Sequence, residues 1–76
     1  MPKRLSELKP GESGTVVKVE GDRAIRRRML DMGLANGAVV EVKRVAPLGD
    51  PIEFLVRGYS LSLRKSEAYA VHVESV

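Results

Sequence analysis

The sequence predicts a mainly β domain: a small barrel of about five short strands with one inserted α-helix, in a single domain spanning residues 1–76. Three observations lead there. Short runs at residues 15–19, 39–45, 52–56, 59–63 and 71–73 alternate apolar and polar side chains, the period of a half-buried strand. Only residues 23–32 carry helical spacing between a capping residue and a terminating glycine. Five strands with one apolar face each, in so short a chain, leave apolar surface and open edges exposed unless the sheet curls on itself.

In chain order, Leu5 and Leu8 stand three apart ahead of Lys9-Pro10-Gly11 and read as one helical turn whose leucines close an end of the core. In the first strand Thr15, Val17 and Val19 share one face, with Val16 and Lys18 on the other. Asp22 is a good N-cap, and Gly33 suits the left-handed position after the helix, with Leu34 supplying the apolar contact beyond it. Between them Ile25, Met29 and Met32 form one stripe, and Leu30 lies off it beside Arg23 and Arg26. Asn36-Gly37 turns the chain into a strand with Val40 and Val42 facing inward. Ile52, Phe54 and Val56 face inward from the next strand, Gly58 turns the chain, and Tyr59, Leu61 and Leu63 alternate with Ser60 and Ser62. Residues 64–69 read as one helical turn with Ala68 and Tyr69 packing, before a last strand with Val71 and Val73 inward. The whole amounts to about fifteen core side chains, worth roughly 1.5–3 kcal/mol each before chain entropy is charged against them.

The run Ala46-Pro47-Leu48-Gly49-Asp50-Pro51-Ile52 is the most distinctive in the chain. Both prolines fix φ and lack an N–H, so neither belongs in a central ladder. Gly49 is free to take positive φ, and Asp50 can bond nearby backbone. The loop is therefore stiff and shaped, fit to meet a partner as well as to turn the chain.

Composition narrows the chemistry. The absence of Cys excludes disulfides and thiolate metal sites. Apolar runs long enough to cross a bilayer are absent, and Lys3 and Arg4 are followed by no apolar run of a signal peptide, so a cytoplasmic protein is expected. Net charge is +3, with much of the excess in Arg23, Arg26, Arg27 and Arg28, partly offset if Asp31 pairs with Arg27 or Arg28. His72 stands alone on a strand, with Glu74 or Glu53 as its nearest candidates for a pair, too few ligands for a useful metal site. No base accompanies Ser60, Ser62 or Ser66, and no glycine-rich phosphate cradle is present. No catalytic, metal or cofactor residues are assigned, and no enzyme is expected. Phe54, Tyr59 and Tyr69 are the only aromatics, too few for single-strand nucleic-acid stacking. Leu30, Val39, Val45, Leu48 and Leu55 fall off the core stripes and form a docking patch if they adjoin.

These residues line up as one pattern: LSELKPGESGTVVKV, then RRRMLDMGLANGAVVEVKRVAPLGDPIEFLVRGYSLSLRKSEA, then AVHV. From Leu5 to Val73 it strongly resembles the FeoA family, small cytoplasmic proteins of bacterial ferrous-iron uptake. The resemblance implies an SH3-like barrel with the helix inserted after the first strand, and contact with the FeoB transporter and its GTPase domain. The partner-binding residues it suggests are Arg26, Met29 and Leu30 on the helix and Leu48, Gly49 and Asp50 in the loop. Direct membrane insertion is not expected. Self-association is left open, through a barrel edge exposing Val39 or Leu55. Two other functions stand beside docking. One is a regulatory or nucleic-acid-associated module, since such domains resemble the C-terminal domain of iron-dependent repressors. The other is GTPase activation through an arginine of the helix, Arg57 or Arg64.

Overall fold

Val40, Val42, Ile52, Phe54 and Val56 project from their strands to one side, and that shared direction curls the sheet around a single apolar core. The computed structural model describes residues 2–76. Its elements are β1 (Lys3–Arg4), a 3-10 turn (Leu5–Glu7), β2 (Ser13–Val19), α1 (Arg23–Asp31), β3 (Val39–Val45), β4 (Ile52–Val56), β5 (Tyr59–Leu63), α2 (Lys65–Tyr69) and β6 (Val71–Ser75). The strands form one antiparallel sheet in the order β1-β6-β2-β3-β4-β5.

The sheet differs from expectation in two ways. It has six strands rather than about five, and it does not close into a barrel: β1 and β5 remain separate edges. The cause is the shortness of β1, which runs two residues before the chain turns into the 3-10 turn. Side chains bridge what a ladder does not, as α2 packs against the 3-10 turn, β5 and β6, bringing in Leu5, Leu8 and Ala68. Fifteen buried apolar side chains, from Leu5 to Val73, make this core, in line with the number expected.

A bulge changes the reading of β2. Its register with β6 shifts between Val16 and Lys18, so Val17 is the extra residue. An inserted residue bends a strand and re-aims its side chains. Val16, placed with Lys18 on the face opposite Val17 and Val19, is buried, while Val17 is only half-buried and Val19 packs on the core. Strict alternation through residues 15–19 therefore fails at one residue.

Helix α1 begins and ends as its sequence predicts. Asp22 Oδ1 accepts a hydrogen bond from Ile25 N at 2.9 Å. At the other end Leu34 N donates to Met29 O at 3.0 Å and Gly33 N to Leu30 O at 2.9 Å, the paired bonds of a Schellman termination, with Leu34 fully buried. Its apolar stripe is narrower than expected. Met29 is buried completely and Met32 packs partly on the core, but Ile25 is exposed. Tyr69, expected to pack, is also mostly exposed.

Gly33 has φ +92°, and a Cβ there would collide with the Tyr59 hydroxyl, which itself donates to Met32 O at 2.8 Å. Gly37 has a similar φ of +91° and open space around it. Gly37→Ala should therefore cost only backbone strain, about 1 kcal/mol, and Gly33→Ala about 2–3 kcal/mol, since it adds a clash and disturbs the Tyr59 bond. Urea unfolding of both variants checks the difference; equal losses would show that the tyrosine yields freely.

Candidate functional site

The bulge at Val17 and the termination of α1 together shape a surface groove. Val17, Lys18 and Val19 form one wall, Arg26 and Leu30 of α1 the other, and Ala35 and Asn36 of the following turn close one end. The groove is open, with a volume of about 610 Å³. Its apolar centre is Leu30, 56% exposed, with the half-buried Val17 and Val19. Its cations are Arg26 and Lys18, neither of which forms an ion pair among the described residues. A shallow apolar floor with cations on its rim suits an apolar side chain flanked by carboxylates.

The expected contact residues divide into three groups. Arg26 and Leu30 come together in this groove. Met29 is wholly buried and offers no surface; it holds the helix down while its neighbour Leu30 faces outward. Leu48, Gly49 and Asp50 lie apart from the groove, in the β3–β4 loop. Sequence reasoning missed Val17, Lys18, Val19, Ala35 and Asn36 as members of the same surface. A bulge leaves no mark in the period of so short a strand, and only the succession of three apolar residues with a lysine among them (Val16, Val17, Lys18, Val19) hinted at it.

Two backbone hydrogen bonds close the loop on itself. Gly49 N donates to Ala46 O at 2.7 Å and Ala46 N to Pro51 O at 3.0 Å, and Asp50–Pro51 is a cis peptide. Asp50 does not bond its own loop through its carboxylate; Oδ1 accepts from Lys65 N at 2.9 Å, tying the loop to the start of α2. Leu48 is left at the tip, 96% exposed. Val39 and Val45 are exposed as expected, whereas Leu55 is half-buried.

Ion pairs differ from those expected and serve the fold. Arg28 pairs with Glu67 Oε2 at 2.6 Å rather than with Asp31, and the other oxygen of Glu67 accepts from Arg64 N at 2.8 Å, so one carboxylate links α1 to the start of α2. His72 pairs with neither Glu74 nor Glu53. Its Nε2 lies 2.7 Å from Glu20 Oε1, which also accepts from Arg4 Nη1 at 2.8 Å. Arg4 in turn donates to Tyr69 O and stacks 3.9 Å above the Tyr69 ring. Hydrogen bonds from His72 and Arg4 hold the Glu20 carboxyl below its usual value of 4.5, and Arg44 does the same for Glu53. No cluster of three or more His, Cys, Asp or Glu side chains among the described residues is placed to hold a metal ion, and no helix among them is long and apolar enough to cross a membrane.

Fold and surface together define a small SH3-like β domain whose exposed features are a cation-rimmed apolar groove and a rigid loop. The FeoA domain family model matches residues 3–75, and the chain belongs to that family, which is involved in ferrous iron transport. The Fe(2+) transport protein A/Fe(2+) transporter FeoB fusion protein of Porphyromonas gingivalis is 40% identical over 73 residues, 96% of this chain. The chain spans only 9% of that relative's length. The solution structure of a FeoA-like protein from Clostridium acetobutylicum is 39% identical, with a TM-score of 0.92 over 99% of this chain and 87% of that one. Stenotrophomonas maltophilia FeoA complexed with zinc, described as an SH3 domain protein, is 33% identical with a TM-score of 0.80, over 97% of this chain and 89% of that one. A manganese-dependent transcriptional repressor shares the fold alone, at 21% identity and a TM-score of 0.91 over 99% of this chain and 37% of that one.

The Glu20 cluster has a pH signature. Because the folded carboxyl titrates below 4.5, the unfolded chain takes up this proton first as pH falls. The stabilisation is complete above the unfolded value and lost as pH drops through the folded one. Glu20→Gln should therefore lower stability at neutral pH and flatten the decline on the acid side, measured by urea midpoints across the acid range. An unchanged acid slope would remove Glu20 from the titrating set.

Proposed function

We propose that this chain is a cytoplasmic accessory module of ferrous-iron uptake that docks on the FeoB transporter and modulates it by protein–protein contact. The observation that carries the reading is the groove: exposed Leu30 across from Val17 and Val19, with Arg26 and Lys18, free of ion pairs among the described residues, on its rim. The fusion of both proteins in one chain in the Porphyromonas relative supports FeoB as the partner. In this reading Arg26 and Leu30 form one contact. Leu48 forms another at the loop tip, with Gly49 and Asp50 holding the loop in shape. Work on the partner is done by occupancy, by favouring one of its conformations through differential contact.

Binding of the purified chain to purified FeoB tests this directly. Burying a leucine is worth about 1.5–3 kcal/mol, so Leu30→Asp should weaken binding by roughly tenfold to a hundredfold. Leu48→Asp should weaken it independently. Arg26→Glu should chiefly slow association and reduce its salt dependence. Equal affinity for the unsubstituted chain and both leucine variants would take the groove and the loop tip out of the interface.

A further inference from the structure

The turn between β4 and β5 breaks a local rule. Val56 and Tyr59 close it, and Arg57 and Gly58 between them have φ of 51° and 86°. Positive φ at both central residues is the mark of a type I′ turn, which favours Asn, Asp or Gly at each position. Gly58 conforms and Arg57 does not. Arg57 is the only non-glycine residue with positive φ among the described residues. A side chain of this length meets a steric cost in the left-handed region that Gly avoids and Asn largely avoids.

Nothing within the domain offsets that cost. Arg57 is exposed, and its side chain forms no ion pair, hydrogen bond or cation–π contact among the described residues. Arg4, Arg28 and Arg44 each hold a carboxylate of this chain instead. The turn is also anchored at its base. Val56 pairs with Val40 on one side, and on the other the Tyr59 hydroxyl donates to Met32 O at 2.8 Å, at the end of α1. A strained residue on an anchored turn, with its charge unused by the fold, is the pattern expected where a side chain serves a contact outside the domain.

We propose that Arg57 is a partner-contact residue whose guanidinium takes a carboxylate of the protein on which this chain docks; the contact rests on the docking reading above. A guanidinium matches a carboxylate with two parallel hydrogen bonds, which fixes orientation as well as attraction. The surroundings fit a protein surface. Val39, one step beyond the Val40–Val56 pair and so beside Arg57, is 51% exposed. The connection from α1 to β3 that receives the Tyr59 bond also carries Ala35 and Asn36, which close the groove. Groove and hairpin tip therefore flank one connection and face a single partner as a continuous surface, with Arg57 adding a cation beyond Arg26 and Lys18.

Arg57→Asn and Arg57→Gly test this, because both relieve the backbone while removing the charge. Each variant should unfold at an equal or higher urea concentration than the unsubstituted chain, yet bind purified FeoB about tenfold more weakly. The loss should be the same for FeoB free of guanine nucleotide. A lowered urea midpoint for both variants overturns the proposal, since Arg57 then serves the fold. A loss confined to nucleotide-bound FeoB overturns it in favour of a phosphate contact. Unchanged affinity for both Arg57 variants, with Leu30→Asp still weakening binding, removes Arg57 from the interface and leaves the docking reading standing. Failure of the unsubstituted chain to bind FeoB ends the docking reading and the Arg57 contact with it.

Discussion

The burial of Met29 is the constraint on which the exposed chemistry depends. Among the residues of α1 it alone is fully buried, so one side chain fixes the helix to the mouth of the sheet. The helix cannot drift along the sheet, because both of its ends are specified: Asp22 at the start, Gly33 and Leu34 at the finish. With rotation and length both set, the residue next to Met29 must face outward. Leu30 is therefore exposed as a geometric consequence of its neighbour's burial, and it stands opposite the wall that the Val17 bulge turns toward it.

Ion pairs reinforce this placement in a particular way. Arg28 reaches from α1 to Glu67, whose other oxygen caps the first turn of α2. Asp50 ties the stiff loop to the same turn through Lys65 N. Two protruding features, the helix and the loop, thus share α2 as an anchor. Exposed pairs of this kind contribute little to stability individually. Their value here is positional, because the short α2 is held between two carboxylates and the core residue Ala68.

Much of this fold was legible in the sequence, for reasons that differ by element. Asp22 and Gly33-Leu34 act through local backbone chemistry, so the limits of α1 could be read without tertiary information. Ile52, Phe54 and Val56 lie in a strand with no inserted residue of its own, the register shift of its pairing with β3 falling at Lys43, and alternation located them correctly. Alternation failed in β2, because an inserted residue at Val17 inverts the faces and no residue type demands a bulge. The barrel failed to close because of the length of β1, a property of where the chain turns and not of its apolar pattern. The pairing of His72 with Glu20 joins positions fifty-two apart, which only the β2–β6 register brings together. Of the candidate contact residues, the helical stripe already set Met29 apart from off-stripe Leu30, and Met29 stood among the contacts only as the other half of that apolar pair.

The distribution of cations and aromatics bears on the kind of partner the proposed docking surface fits. Arg4, Arg28 and Arg44 are each engaged by a carboxylate of this chain, so their charge is largely compensated. Arg26 and Lys18 are not, and both flank the apolar floor where Leu30 lies. A nucleic acid would reward cations along a continuous track, with aromatic faces free for bases. Here Tyr59 directs its hydroxyl to the end of α1, and Tyr69 lies beneath the Arg4 guanidinium. Phe54 is in the core. Every aromatic ring is thus committed within the domain, while Arg26 and Lys18, two of the cations that form no ion pair among the described residues, border leucine and valine. That combination is the chemistry of a protein surface presenting an apolar side chain among carboxylates: the apolar contact supplies affinity, and the two cations supply orientation and faster encounter.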